Sequence, residues 1–217
     1  MPEGLFVSGA RQRRRSEIED RSLRAATGLR DLGVAPGMPV AMLLRNDFAF
    51  IEATFAVEAL GGCAVPVNWH LAAPEVAYVI RDCAAPVLIV HADLLHLLGS
   101  AVPDHVSVLV VETPPEIAEA YGLADAQCAV PQGLEKWDDW LDAQRSKVLA
   151  GCAAINARWM AHLHGPLDMS HIAVGCALGY LDLRHGDRDW RKGRDVLAAW
   201  EARFAERDAM RATVPPA

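Results

Sequence analysis

The sequence lacks the features of a membrane-spanning or secreted chain. No apolar run approaches the roughly 18 residues that a spanning helix needs, and the first 15 residues place their charges after a short apolar piece, the reverse of a secretory signal. The five cysteines are odd in number and never form C-x-x-C, which argues against a disulfide framework or a zinc site and fits a reducing compartment. We therefore expect a cytoplasmic protein without a membrane span, in which Cys63, Cys83 and Cys176 are small core residues.

Positive charge is also scarce, and phosphate-binding fingerprints are absent. The net charge of −7 argues against a nucleic-acid partner, which requires a basic face. The one basic cluster, Arg11 and residues 13–15, is interpreted as a solvated edge before the first helix. Gly61-Gly62 is not followed by Lys-Ser/Thr, so it is no phosphate loop, and G-x-G-x-x-G does not occur.

What the first half does contain is a regular alternation of short apolar runs and helical patterns. The apolar runs are predicted strands: Val40–Leu44, Cys63–Val67, Val87–Val90 and Val106–Val111. The intervening patterns predict helices: residues 16–32, 48–60 with Asp47 as N-cap, 74–83, and 92–98. This spacing predicts βαβ units with a mostly parallel sheet. Residues 113–133, rich in proline and glycine, are expected to be connecting structure with one short helix near Ile117.

Particular landmarks within this alternation resemble the N-terminal region of the AMP-forming acyl-CoA synthetases. They are Leu32-Gly33-Val34 with Pro36-Gly37, Arg45-Asn46, Glu52-Ala53, Leu60-Gly61-Gly62 and Pro66-Val67-Asn68. The resemblance implies an α/β scaffold from a family that uses ATP, Mg²⁺ and CoA to activate carboxylic acids. Lys136-Trp137 to Leu141 looks like the small helix that precedes the nucleotide-binding part of these synthetases.

Trp69 and His70 are the weak candidates for substrate binding in this half. They follow the second predicted strand, where open α/β sheets place ligand contacts. The alternative, a loop histidine that only makes hydrogen bonds, is the commoner role of a lone histidine. The acid pairs Asp138-Asp139 and Glu116/Glu119 look exposed, so nothing raises a carboxyl pKa there, and no catalytic residue is assigned.

From Arg145 onward the sequence is helical in pattern. One stripe consists of Val148, Cys152, Ile155 and Trp159. A helix from Asp168 to about residue 184 is apolar nearly all round, which predicts a buried central helix. Asp168 is its expected N-cap, with His171 at the N3 position of a capping box. A last helix, about residues 196–206, is expected to turn Leu197, Trp200 and Phe204 inward.

This second half resembles the C-terminal part of the helical domain of bacterial glutathione transferases. The residues that carry the resemblance are Gly165-Pro166-Leu167-Asp168 with Ser170-His171-Ile172, then Gly179-Tyr180-Leu181-Asp182, Trp190-Arg191 and Leu197 to Trp200. The resemblance implies that the Asp168–His171 cap is structural. It also implies that glutathione is bound by a preceding thioredoxin-like domain, which residues 1–144 do not resemble.

His162 and His164 form an H-x-H pair at a helix end with no third ligand near them in sequence. We interpret them as surface histidines and assign no metal site.

The overall prediction is an α/β segment, a partial βαβ layer over residues 1–144, followed by an all-α segment over residues 145–217. The resemblance to the synthetases implies that a Ser/Thr/Gly-rich phosphate-binding loop ending in a lysine follows the first half. Residues 145–217 contain no such loop, so no cofactor is expected to bind well. Three functions remain open: an acyl-CoA synthetase-like protein that is inactive as a truncated fusion, a glutathione transferase-like protein, and a non-catalytic interaction module. Exposed apolar surfaces predict self-association.

Overall fold

The computed structural model describes residues 4–185 and 189–213. The chain divides into two compact units, Met1–Gln144 and Arg145–Ala217. The strands are β1 (Leu5–Ser8), β2 (Arg11–Arg14), β3 (Pro39–Leu43), β4 (Cys63–Pro66), β5 (Val87–His91), β6 (Ser107–Val111) and β7 (Glu135–Lys136). The helices that begin in the first unit are α1 (Arg15–Asp31), α2 (Phe48–Ala59), α3 (Ala73–Asp82), α4 (Ala92–Leu98), α5 (Pro115–Tyr121), α6 (Asp125–Cys128) and α7 (Trp137–Ala154).

The core of the first unit is a five-stranded parallel sheet in the order β4-β3-β5-β6-β7. The central strands β3 and β5 are buried on both faces because helices cover each side of the sheet, as in doubly wound α/β folds. Alternate residues of β3 and β5 point to opposite faces. Val40, Met42 and Ile89 pack in one core cluster with α1, α2 and the start of α7. Ala41, Leu43, Leu88 and Val90 pack in the other with α3 and α4. The predicted parallel α/β layer is therefore confirmed.

An antiparallel hairpin of β1 and β2 precedes the sheet, and the sequence analysis did not predict it. The interpretation of the basic cluster as a solvated edge was wrong for two of its arginines. Arg11 pairs with Asp47 and Glu116, and Arg13 pairs with Glu52. The pattern did not reveal this because the acidic partners lie 36 to 105 residues away in sequence.

The second unit is helical, as predicted. α7 ends at Ala154 and is followed by a π-helical turn, Ile155–Trp159. The remaining helices are α8 (Met160–Leu163), α9 (Met169–His185), α10 (Asp195–Ala205) and α11 (Asp208–Ala212). Leu197, Trp200 and Phe204 are buried, as expected, together with Trp190 and Leu178.

The expectation that Cys63, Cys83 and Cys176 are core residues was wrong. Cys63 and Cys176 are exposed and Cys83 is only half-buried, while Cys128 and Cys152 are the buried thiols. The predicted apolar stripe Val148, Cys152, Ile155 and Trp159 is covered only in part, since Cys152 is buried whereas Val148 and Trp159 are exposed.

The helix α9 is also not buried all round. Between residues 169 and 183 only three residues are buried: His171, Gly175 and Leu178. An apolar helix is buried only where other elements cover it, and in the second unit α8, α10 and α11 cover one side.

Three further predictions about the ends and bounds of the secondary-structure elements differ from the structure. Asp47 does occupy the N-cap position of α2, but its carboxylate makes no capping hydrogen bond. The segment from Lys136 is not a small helix: Glu135–Lys136 form the edge strand β7, and α7 runs for 18 residues. A second short helix, α6, lies in the connecting segment 113–133. Within the described residues, no helix combines the length and the apolar character needed to cross a bilayer.

Candidate functional site

The carboxyl edge of the parallel sheet collects the polar side chains of the first unit. Arg45 follows β3, Asp93 begins α4 just after β5, and Thr113 follows β6. Trp69, after β4, and Tyr121, at the end of α5, supply aromatic rings. In open parallel sheets this edge is where ligands bind, so we consider it the candidate site.

Arg45 and Asp93 form the centre of this edge. Asp93 Oδ2 accepts hydrogen bonds from Arg45 Nε at 2.9 Å and Nη2 at 2.6 Å, and both side chains are at least nine-tenths buried. Thr113 donates its hydroxyl to Asp93 Oδ1 at 2.6 Å and accepts the Asp93 backbone N–H at 3.2 Å. A charge pair this well satisfied by hydrogen bonds is held in one geometry.

Two aromatic rings flank the Arg45 guanidinium. Its central carbon lies 4.6 Å from the ring centroid of Trp69 and 4.0 Å from that of Tyr121, and the two rings meet edge to face. Both are cation–π distances. Nη1 of Arg45 is buried and has no hydrogen-bond partner among the described residues, so the π faces are the favourable contacts that surround this end of the cation.

His91, fully buried at the end of β5, connects this centre to the hairpin. Its Nδ1 accepts the backbone N–H of Arg45 at 3.1 Å, which leaves the proton of a neutral imidazole on Nε2. Nε2 lies 3.7 Å from Asp47 Oδ2, and Asp47 Oδ1 accepts from Arg11 at 2.6 Å and from Ser8 at 3.1 Å. Burial favours the protonated Asp47 carboxyl, but His91, the Phe48 amide and Arg11 together hold its pKa well below the usual range.

Glu52, on α2, is a second buried polar residue that connects several elements of the first unit. Its side chain is fully buried and accepts from Arg21 Nε at 2.6 Å, from Trp137 Nε1 at 3.0 Å and from Arg13. Burial opposes the Arg21 charge, yet Glu52 and Asp138 more than offset this and raise the Arg21 pKa. Glu52 thus ties α2 to β2, α1 and α7.

The two substrate candidates from the sequence have different positions. Trp69 belongs to the Arg45 cluster, by which we mean Arg45, Asp93, Thr113, Trp69 and Tyr121. The His70 ring lies beside that of Trp69, with 3.5 Å between the centroids, but His70 is exposed, and its backbone N–H donates to Asn68 Oδ1 at 3.0 Å.

Sequence analysis did not identify Asp93, Thr113 or Tyr121 as members of this cluster. The available signal for the first two is a polar residue within two positions of the end of a buried strand.

The second unit has its own polar cluster at the start of α9. Asp168 Oδ1 accepts the backbone N–H groups of Ser170 at 2.9 Å and His171 at 3.4 Å, and the Asp168 N–H reaches His171 Nδ1 at 3.2 Å. His162 Nε2 lies 3.0 Å from Asp168 Oδ2 and 2.8 Å from the Ser170 hydroxyl. Hydrogen bonds from the Ser170 hydroxyl and from His171 hold the Asp168 pKa well below its usual range. His164 is not part of this cluster.

A groove of about 520 Å³ lies along α9, α10 and α11. Gly175, Tyr180 and Phe204 line its apolar part, and Asp182 and Glu201 line its polar part. Both carboxylates accept hydrogen bonds from Arg191, at 2.6 to 2.8 Å, and the Asp182 pKa is lowered mainly by that contact. The groove therefore presents an acidic rim.

Comparison with protein-family models gives two matches. A model described as AMP-binding enzyme matches residues 6–160, and one described as glutathione S-transferase, C-terminal domain, matches residues 138–203.

Individual proteins are similar to parts of the chain. A feruloyl-CoA synthase of Amycolatopsis is 42% identical over 74 residues, which are 34% of this chain and 15% of that protein. The crystal structure of the anthranilate CoA ligase AuaEII in complex with anthranoyl-AMP is similar with a TM-score of 0.53 at 26% identity, over 64% of this chain and 24% of the ligase. A glutathione transferase family member from Pseudomonas fluorescens Pf-5 is 42% identical, with a TM-score of 0.37, over 41% of this chain and 44% of that one. The chain thus spans a quarter or less of the length of these ligases.

Proposed function

This chain belongs to the family of AMP-binding enzymes, and from that premise we propose that residues 6–144 are the supporting α/β layer of an acyl-CoA ligase-like protein and not its reaction centre. On this proposal the chain by itself does not adenylate a carboxylic acid. The observation that carries the proposal is the state of the Arg45 cluster. The Arg45 guanidinium and the Thr113 hydroxyl both donate hydrogen bonds to the Asp93 carboxylate, and all three side chains are buried.

The fit of ATP to this edge supports the same proposal. A polyphosphate needs convergent backbone N–H groups and cations that are free to face it. At the described carboxyl edge, Arg45 is held by Asp93, and Lys136 is held by Glu112 at 2.5 Å, a contact that raises the lysine pKa. The residues present therefore do not fit ATP with Mg²⁺, and we derive no step through them.

The test is an ATP–pyrophosphate exchange assay on the whole chain, with aryl and long-chain carboxylic acids as substrates. We expect no exchange above a sample without protein. A ligase that spans the full length of the family serves as positive control. Exchange that increases in proportion to protein through successive purification steps overturns the proposal.

Glutathione transfer is the corresponding alternative for the second unit, and its groove fits glutathione poorly. Glutathione carries two carboxylates, which need cations, whereas the groove offers the carboxylates of Asp182 and Glu201, and their partner Arg191 is already held by both. We therefore expect no conjugation of glutathione to an aryl halide by this chain. Conjugation that scales with protein concentration would establish the alternative.

The second candidate function is an interaction module formed by self-association through α9. Met169, Ile172 and Tyr180 on this helix are each more than a third exposed. Residues 169–181 contain no Asp, Glu, Lys or Arg. A two-fold interface brings the same patch of both copies together. Because this face of α9 is apolar and uncharged, two copies can meet there without like-charge repulsion.

Sedimentation velocity over a concentration series tests the self-association. We expect reversible dimers that Ile172→Glu and Tyr180→Glu abolish, because each substitution places a charge in the interface. Tyr78→Glu, at an exposed tyrosine on α3, is the matched control and should leave the dimer intact. A wild type that stays monomeric at all concentrations, or dimers that the α9 variants do not weaken, would exclude this surface.

A further inference from the structure

The cluster at the start of α9 brings together three side chains of the types that hold metal ions. One atom each from His162, Asp168 and His171 lie within 4.8 Å of one another. His162 lies in α8, six residues before Asp168, and the turn at Gly165-Pro166 leads the chain from α8 back to the start of α9. The structure thus supplies the third ligand that the sequence pattern His162-x-His164 lacked, and it selects His162 and not His164.

We propose that His162, Asp168 and His171 form a binding site for a divalent transition-metal ion of the zinc type. Two imidazoles and one carboxylate are ligands that zinc accepts, and three protein ligands with one open position is a known zinc arrangement. The fourth position is available to water or to the Ser170 hydroxyl, which lies 2.8 Å from His162 Nε2.

The distances are close to what such an ion needs. Ligand bonds of about 2.0–2.1 Å in a tetrahedron place neighbouring ligand atoms about 3.3 Å apart. His162 Nε2 lies 3.0 Å from Asp168 Oδ2, and His171 Nδ1 lies 2.8 Å from Asp168 Oδ1. Small side-chain rotations are therefore enough to open the cluster around an ion.

Access from solvent also suits the site. The side chains of His162 and Asp168 are about half exposed, so an ion enters from solvent without opening the core, while His171 is buried and fixed. His171 Nδ1 lies 2.8 Å from Asp168 Oδ1 and 3.2 Å from the Asp168 backbone N–H. An ion that binds Nδ1 takes the place of both contacts, and the neutral ring then carries its proton on Nε2.

Two effects oppose binding and make the site weaker than a structural zinc site. The ion competes with the Asp168 backbone N–H for His171 Nδ1. It also sits at the start of a helix, where the helix dipole disfavours a cation. The negative charge of Asp168 offsets the second effect.

Titration of the whole chain with Co²⁺, followed by visible absorption, is the direct test. Tetrahedral nitrogen and oxygen coordination gives d–d bands without thiolate charge transfer, which distinguishes this site from the exposed thiols of Cys63 and Cys176. We expect one equivalent of Co²⁺ to bind with d–d bands alone, and Zn²⁺ to displace it.

Three variants separate the metal site from the helix cap. His162→Gln removes a ligand outside the cap. Asp168→Asn and His171→Gln remove ligands but keep residues that are favourable at the N-cap and N3 positions. Each should raise the Kd by at least the roughly tenfold that loss of a supporting contact causes at metal sites. His164→Gln, two residues from His162 and outside the cluster, should leave the Kd unchanged.

A Zn²⁺-dependent rise in the unfolding midpoint, seen in wild type and His164→Gln but not in His162→Gln, is the independent readout, since a ligand of the folded state stabilises it. Absence of d–d bands, bands with thiolate character, or equal affinity in wild type and His162→Gln overturns the proposal and leaves the cluster as a helix cap only.

Discussion

The substitution Glu52→Gln tests whether the buried carboxylate on α2 holds the first unit together. Glutamine keeps the size of the side chain and an acceptor for Trp137 Nε1, but it removes the charge that faces Arg13 and Arg21. Both arginines then remain near the site without their common counter-charge. The perturbation is therefore electrostatic, with little change of packing.

The structure sets the expected magnitude. Removing one partner of a buried ion pair costs about 3–5 kcal/mol, because the other charge is left uncompensated. Glu52 is fully buried, but the side chains of Arg13 and Arg21 are 26% and 15% exposed, and Arg21 also holds Asp138. Partial solvation of the arginines places the expected loss at the lower end, about 3 kcal/mol.

Urea unfolding followed by far-UV circular dichroism measures the loss, and hydrogen exchange of the peptide covering residues 48–59 assigns it to α2. The matched control is Glu112→Gln, whose carboxylate pairs with Lys136 but is about half exposed. A pair of that kind contributes about 1 kcal/mol or less. Arg21→Met should cost less in the Glu52→Gln background than in wild type, because the charge it removes is then already unpaired. Equal losses for Glu52→Gln and Glu112→Gln, or additive effects in the double variant, would refute the reasoning.

Two further predictions concern α9 and the hairpin. A Cβ at Gly175 would lie 2.6 Å from Phe204, whereas one at Gly179 meets nothing within 4 Å. Gly175→Ala should therefore destabilise the folded protein by about 1–3 kcal/mol through overpacking. Gly179→Ala should stabilise it by about 0.5–1 kcal/mol, as alanine does inside a helix. Opposite shifts of the urea midpoint for the two variants check both predictions, and equal shifts contradict them. Asp47 has a folded-state pKa below its unfolded value of about 3.9, so its contribution to stability is present above that unfolded value and is lost as pH falls through the folded pKa. Asp47→Asn should lower the urea midpoint near neutral pH and flatten its decline in acid; a decline in acid as steep as that of wild type would show that Asp47 does not contribute.

The sheet of the first unit could be predicted because its signal is local. The strands β3, β5 and β6 are short apolar runs that are buried over most of their length, and the helices between them have apolar stripes of their own. The fold class and the order of strands and helices follow from such patterns without knowledge of any partner. The hairpin had no such signal: β2 reads Arg11-Gln-Arg-Arg14, and what fixes it is a set of carboxylates on α2 and α5.

Burial along α9 could not be predicted, because it depends on distant parts of the chain. The composition of α9 indicates an apolar helix, but whether each face is covered depends on which elements pack on it, and the residues of α9 do not encode that. Similarly, Asp47 has the residue type and position of an N-cap, yet Arg11, Ser8 and His91 lie around its carboxylate. A charged partner forms a stronger hydrogen bond than a neutral backbone amide, so the long-range contacts take precedence over the local one.

The residues that carry the family resemblance have structural positions in the fold. Gly37 and Gly61 both have positive φ angles, and the Gly37 N–H donates to the Gly61 carbonyl at 2.8 Å, which joins the turn before β3 to the end of α2. Arg45 and Glu52 are buried cross-links between elements. A sequence match through such residues is therefore strong support for the α/β layer, because each is needed for its geometry. The same match does not extend to a catalytic group, because the side chains of Arg45 and Glu52 are held by their partners within the fold.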